Sequence, residues 1–167
     1  MKRLQSYILF ILLLLATVLP AHGHISRNMF MISNLNTDNG LSSPRVYSIV
    51  EAEDGAMWIS TKRGVDRYNG QLVSNYTLAT EMPYSDASGR SIKLTQDHHR
   101  QIYAYDNKGK VYIYNKVKDT FVLRCNLLNI FGGSIVLNEL LVDEKGNFWL
   151  AMDKGLYCYM KRLFCFQ

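Results

Sequence analysis

The residues able to do chemistry are few, and their spacing sets none of them to work together. His98 and His99 are adjacent. Neighbouring positions of a strand point to opposite faces, so this pair does not readily share a metal ion or a proton. They read as a solvated turn. Ser42-Ser43 and Ser134 lack the glycine frame of a nucleophile elbow, and no base is placed to pair with them. Glu51, Glu53, Asp54, Asp143 and Glu144 gather in turns just ahead of Trp58 and Trp149, where carboxylates are ordinarily solvated. Gly132-Gly133 and Lys108-Gly109-Lys110 do not make a phosphate-cradling loop. Asn75-Tyr76-Thr77 matches a glycosylation sequon but falls in a predicted strand. No catalytic residue, cofactor-binding residue or metal ligand is therefore expected, no cofactor is implied, and no ligand-binding residue is assigned.

Three cysteines stand at 125, 158 and 165. No CxxC or Cys–His spacing suggests a metal. An oxidising compartment permits a Cys158–Cys165 bridge. The repeats described below pair Cys158 with Leu163 instead and leave Cys165 diagonal, about 7–8 Å away and beyond comfortable disulfide reach.

The first residues read as an export signal. Lys2 and Arg3 are basic, and Tyr7 to Leu19 is apolar apart from Thr17. That run is too short for the roughly 20 residues of a bilayer-spanning helix. Pro20 and Ala21-His22-Gly23 follow, small residues that a signal peptidase accepts, so cleavage is expected after Gly23. Removing Lys2 and Arg3 takes the formal charge from +5 to 5 − 2 = +3, too weak and scattered to argue for a nucleic acid partner.

The elements that position these residues repeat. Asp54-Gly55-Ala56-Met57-Trp58-Ile59 returns as Lys145-Gly146-Asn147-Phe148-Trp149-Leu150, with the tryptophans 149 − 58 = 91 residues apart. Glycines follow at 64 and 155, 155 − 64 = 91 apart. Half that distance finds a worn copy, Ile102-Tyr103-Ala104-Tyr105-Asp106-Asn107-Lys108-Gly109. A period near 45 with an aromatic-then-glycine core signals stacked β units. Strands are predicted at Val46–Val50, Met57–Thr61, Val65–Tyr68, Gln71–Leu78, Gln101–Tyr105, Val111–Tyr114, Phe148–Met152 and Leu156–Met160, with a further one opening at Leu163. Asn69-Gly70 predicts a tight type I′ hairpin.

Phe148-Trp149-Leu150-Ala151-Met152 and Val111-Tyr112-Ile113-Tyr114 are apolar on both faces, so their sheets need cover on both sides. A β-propeller supplies that cover by stacking blade on blade. Trp58, Tyr103 and Trp149 are then wedge residues between blades. The expected fold is all-β, a partial propeller of about three four-stranded blades after the signal peptide. Its expected boundaries are 1–23 signal peptide, 24–45 a lead-in strand and loop, 46–90 the first blade, 91–134 a degenerate second blade and 135–167 an incomplete third. Within the lead-in, Phe30 to Leu35 reads as an outer strand. Three blades leave the first and third with bare apolar faces, so the chain is expected to be a piece of a longer ring or to close with a second copy of itself.

Asn39-Gly40-Leu41-Ser42-Ser43-Pro44-Arg45-Val46, then Ile49, Asp54-Gly55, Trp58-Ile59, Thr61, Gly64-Val65 and Arg67-Tyr68, resemble the two-component regulator propeller repeat. In the second copy Tyr103 replaces the tryptophan, and His99-Arg100 stands where the Asp-Gly turn belongs. The resemblance implies a periplasmic domain that senses an oligosaccharide for a membrane-anchored histidine kinase. With no catalytic constellation among its residues, no enzyme is expected in this segment. The alternatives are a short secreted homo-oligomeric scaffold and part of a glycan-active enzyme. Sugar sites favour exposed aromatic rings beside planar polar groups, and eleven tyrosines offer supply without saying which are exposed. Lys62-Arg63 and Asp153-Lys154 are conceivable contributors on one rim, although each reads first as a solvated turn.

Overall fold

The computed structural model describes residues 32–78 and 89–160. The export signal, the strand expected at Leu163 and Cys165 lie outside these residues. Among the described residues eleven strands form three antiparallel sheets, each a meander in which every strand pairs with its sequence neighbour. The first sheet holds β1 (Val46–Glu51), β2 (Met57–Thr61), β3 (Val65–Tyr68) and β4 (Val73–Tyr76). The second holds β5 (Ile92–Gln96), β6 (Ile102–Asp106), β7 (Lys110–Asn115) and β8 (Thr120–Asn126). The third holds β9 (Leu137–Val142), β10 (Phe148–Met152) and β11 (Gly155–Tyr159). A short helix, α1 (Leu127–Phe131), links the second sheet to the third; Asn126 caps it and Leu127 is fully buried. The sequence pattern did not reveal it, because five residues are too few to show a helical period.

Alternation along each strand sends one set of side chains toward the next sheet. Trp58, Val65, Leu78, Ile92, Leu94, Ile102, Ala104, Tyr112 and Phe121 make one core between the first and second sheets. Tyr105, Val111, Leu137, Leu140, Phe148, Leu150 and Met152 belong to a second core between the second and third. Trp58 packs on Tyr114 and Phe121 of the following sheet, with ring centroids 4.6 and 5.5 Å away. Tyr103 meets Phe148 edge-on at 5.6 Å, one repeat further along. Hydrogen bonds pin the same interfaces: Leu94 N donates to Ser48 Oγ at 2.8 Å, and Tyr105 Oη donates to Glu139 Oε1 at 2.6 Å. Lys93 Nζ pairs with Glu139 Oε2 at 2.9 Å.

Several expectations change. Trp149, at the wedge position of the third repeat, is 39% exposed, against 2% for Trp58. The side chains that alternate with the buried Phe148, Leu150 and Met152 point away from the second sheet, and no described sheet covers them. Leu141, Leu156 and Cys158 share that uncovered side. The outer face of the first sheet, by contrast, is not bare. Asn36 caps a 3-10 turn at Thr37–Asn39, and the following residues cross that face. Gly40 O accepts from Asn75 Nδ2 at 3.1 Å, and Ser42 N and Oγ both donate to Asp66 Oδ2 at 2.8 Å. Asp66 is fully buried, and Asn75 Nδ2 supplies its other oxygen with a third donor at 2.8 Å. Residues 32–36 therefore form no strand, because no described sheet offers them a ladder partner.

The Asn69-Gly70 link is likewise not a two-residue turn. Residues 69–72 all lie between Tyr68 and its partner Val73. Asn69 Oδ1 accepts from Gln71 N and Leu72 N at 3.0 and 2.8 Å, so the asparagine side chain closes a wider loop itself. Only Gly70 of the pair has a positive φ, whereas a type I′ turn needs two.

Candidate functional site

Stacking two sheets leaves a cleft where their turns approach. A cavity of about 330 Å3 opens between the first and second sheets, lined by Ala52, Glu53, Asp54, Trp58, Arg67, Arg100, Gln101, Ile102, Tyr114 and Lys116. That is within the range of roughly 300–1,000 Å3 usual for small-molecule sites. The β1–β2 turn supplies Ala52, Glu53 and Asp54, and the β5–β6 turn supplies Arg100 and Gln101. Trp58 and Tyr114 give the aromatic lining.

Asp54 Oδ1 accepts from Ala56 N at 3.1 Å, which closes the β1–β2 turn, and its other oxygen accepts from the Arg67 guanidinium. The Ala56 amide first, and then the Arg67 cation, hold the Asp54 carboxyl below the usual carboxylate range against an opposing desolvation. Arg67 also lies over the Trp58 ring, 5.8 Å from its centroid. Lys116 Nζ stands 3.4 Å from Glu53 Oε2, on an exposed pair that contributes little stability. Tyr76 and Tyr114 both donate to Asp119 Oδ1, at 2.9 and 2.6 Å. Burial and then Asp119 push the Tyr114 hydroxyl well above its ordinary value, so it stays a neutral donor at physiological pH.

The β5–β6 turn is held in place. Asp97 Oδ1 accepts from His99 N at 2.9 Å and Gln101 N at 3.0 Å. Gln101 Nε2 donates to Tyr114 O at 2.8 Å, which ties the turn to β7. Arg100 sits in the middle with φ +60°. The glycines one repeat before and after, Gly55 and Gly146, have φ +76° and +78°. An L residue with a Cβ is strained there by about 1–2 kcal/mol. Tyr103 Oη reaches Asp97 Oδ2 at 3.4 Å, and Trp149 Nε1 repeats that contact on Asp143 Oδ2 at 3.1 Å.

The residues singled out in the sequence fare unevenly. Glu53 and Asp54 line the cleft, whereas Asp143 closes the corresponding turn of the third sheet. Lys62-Arg63 and Asp153-Lys154 follow β2 and β10 and so lie at the opposite end of the strands. His98 and His99 are exposed, and their rings lie 3.7 Å apart because they sit in a turn rather than a strand. Cys125 and Cys158 are free thiols, and burial pushes the Cys125 pKa up to about 11. Among the described residues no three His, Cys, Asp or Glu side chains converge as a metal site, and no helix is long and apolar enough to cross a membrane. Sequence reasoning missed Arg100, Gln101, Tyr114 and Lys116 as cleft residues. Only Arg100 carried a signal, since it replaces a glycine of the repeat.

Three antiparallel meanders stacked through aromatic wedges define an unclosed arc of a β-propeller. Residues 40–63 match the two component regulator propeller family, so the motif resemblance read from the sequence holds over that repeat. No curated protein matches the chain. Among solved structures, the chain is similar to the extracellular domain of the hybrid two component system BT4673 from B. thetaiotaomicron, with 20% identity and a TM-score of 0.62 over 80% of this chain. A second structure of BT4673, described as a one component system, gives 20% identity and a TM-score of 0.61 over 78%. The extracellular domain of the hybrid two component system BT3049 from the same organism gives 17% identity and a TM-score of 0.55 over 78%. The chain spans 17% of each BT4673 chain and 16% of the BT3049 chain.

Proposed function

We propose that this chain is a ligand-sensing propeller segment of an extracytoplasmic two-component sensor, that its ligand is a glycan, and that it binds rather than catalyses. The repeat at residues 40–63 carries the reading, supported by a fold shared with extracellular domains of such systems. The basic, apolar and small-residue order of residues 1–23 supports export to the periplasm. The cleft supports binding over catalysis, because Asp54 is tied to Arg67 and a carboxylate so held is a weak base. The half-buried Tyr114 ring beside Arg and Gln side chains suits the flat, hydroxyl-rich face of a sugar.

The uncovered side of the third sheet supports a further blade of a longer ring as the immediate partner. Leu141 and Leu156 are 56% and 68% exposed beside Trp149, and apolar surface of that kind favours association. A second copy of the chain is the other occupant that this face fits; sedimentation decides, since a discrete dimer or trimer favours the second copy. The function itself is tested by producing the full chain in a Gram-negative host, sequencing the N-terminus of the periplasmic product, and titrating it with a panel of neutral and acidic oligosaccharides by intrinsic fluorescence. The reading expects a mature N-terminus at His24 and saturable binding of one saccharide class. A cytoplasmic, uncleaved product or a flat response to every saccharide contradicts it.

A further inference from the structure

We propose that the cleft between the first two sheets takes an acidic saccharide, with Arg100 pairing to a uronate carboxylate. This rests on the glycan-sensing reading and adds the ligand's charge and the residue that reads it.

The other charges of the cleft already have partners. Arg67 is bound to Asp54, and Lys116 is paired with Glu53. Arg100 donates its backbone N–H to Asp97 O at 3.0 Å, and its guanidinium makes no hydrogen bond or ion pair with the described residues. Three cations therefore face two carboxylates, an excess of 3 − 2 = +1, and the spare charge is on Arg100. A guanidinium presents a planar fork of N–H donors that matches a carboxylate with two parallel hydrogen bonds. The half-buried Tyr114 offers apolar lining to the ring that carries it.

The backbone points the same way. The repeat places Gly55 and Gly146 at the positions of Arg100, 100 − 55 = 45 before and 146 − 100 = 46 after. All three share a left-handed turn, which glycine adopts without strain and arginine does not. Residues held in such conformations cluster at functional sites, which supports a use for this side chain. The turn is also fixed in advance, through Asp97 on one side and the Gln101–Tyr114 bond on the other, so ordering the loop costs a ligand little.

This strain makes the decisive variant one that folds. Arg100→Gly removes the guanidinium and relaxes the backbone, so its thermal midpoint is expected to equal or exceed that of the parent. Calorimetric titrations of the full chain and of Arg100→Gly use trigalacturonate, its fully methyl-esterified neutral counterpart and a sulfated disaccharide. The expected result is that trigalacturonate binds the parent at least tenfold more tightly than the ester or the sulfated sugar. Arg100→Gly loses tenfold or more for trigalacturonate and keeps its affinity for the ester, as removal of a charge-assisted hydrogen bond requires. Equal affinity for acid and ester, preference for the sulfate, or undiminished trigalacturonate binding by Arg100→Gly each overturns the assignment. Binding of neutral sugars alone overturns it while leaving the glycan reading intact. Silence from every saccharide, neutral ones of the panel included, removes both.

Discussion

Replacing Trp58 with alanine separates stability that comes from stacked blades from stability that comes from single sheets. The indole is 2% exposed and packs within 5.1 Å of Tyr76, 4.6 Å of Tyr114 and 5.5 Å of Phe121, measured between ring centroids. Two of those three rings belong to the second sheet, so most of the contact lies across the interface. Emptying such a site costs about 3–5 kcal/mol, which includes the cavity left when rigid neighbours relax only in part. The aromatic pairings sit inside that figure rather than on top of it. Trp149 occupies the same repeat position but is 39% exposed, and one face of its sheet has no described cover. Trp149→Ala is therefore expected to cost at most about 1–1.5 kcal/mol, from partial burial and its N–H bond to Asp143. Urea unfolding followed by circular dichroism measures both, with the slope m checked for constancy so that midpoint shifts report stability. Equal losses for the two variants, or a Trp58→Ala loss under about 1.5 kcal/mol, would show that the repeats are not held together by their wedges.

Gly64→Ala is expected to cost about 2–4 kcal/mol, because a Cβ there would stand 2.6 Å from Tyr76 O, a backbone atom of β4 that has nowhere to go. Gly55→Ala, with φ +76° but open space around it, should lose only about 1–2 kcal/mol, and urea midpoints rank the pair. Acid should destabilise the fold within a narrow window. Although desolvation opposes it, hydrogen bonds from Asn147, the Trp149 indole and Lys145 N bring the Asp143 pKa down to about 2, and Asp54 and Asp119 are lowered as well. Groups whose pKa falls on folding stabilise above the unfolded value of 3.8 and lose that contribution as pH drops through the folded one. The urea midpoint is therefore expected to hold from about pH 7 to 5 and to fall between about pH 4 and 2; a midpoint that is flat to pH 2 contradicts the turn hydrogen bonds.

Much of this fold was legible because its signals are local and recur. The Trp58 and Trp149 copies give the strands on either side of each turn, and Met57–Thr61, Val65–Tyr68 and Phe148–Met152 form strands over the same residues in the structure. What the sequence could not show depends on neighbours. Trp58 and Trp149 are the same residue in the same motif, and only the sheet packed against one of them makes it core. The cleft draws on turns 45 residues apart that meet only after two sheets stack, so Tyr114 and Lys116 carried no sign of a site. The seal over the first sheet was hidden too. Ser42 looked like an idle hydroxyl until it met Asp66, 24 residues away. Arg100 is the exception: the period alone sets it against two glycines, and a positive φ follows from that alignment.

Amide chemical shifts of the isotope-labelled chain, followed during addition of trigalacturonate and its neutral ester, locate the glycan site proposed between the stacked blades. The shifts that saturate are expected to map to the two turns and the β7 end that line the cleft: Glu53, Asp54, Arg100, Gln101 and Lys116. Shifts confined to the opposite rim around Lys62-Arg63 and Asp153-Lys154, or none for either sugar, would contradict it.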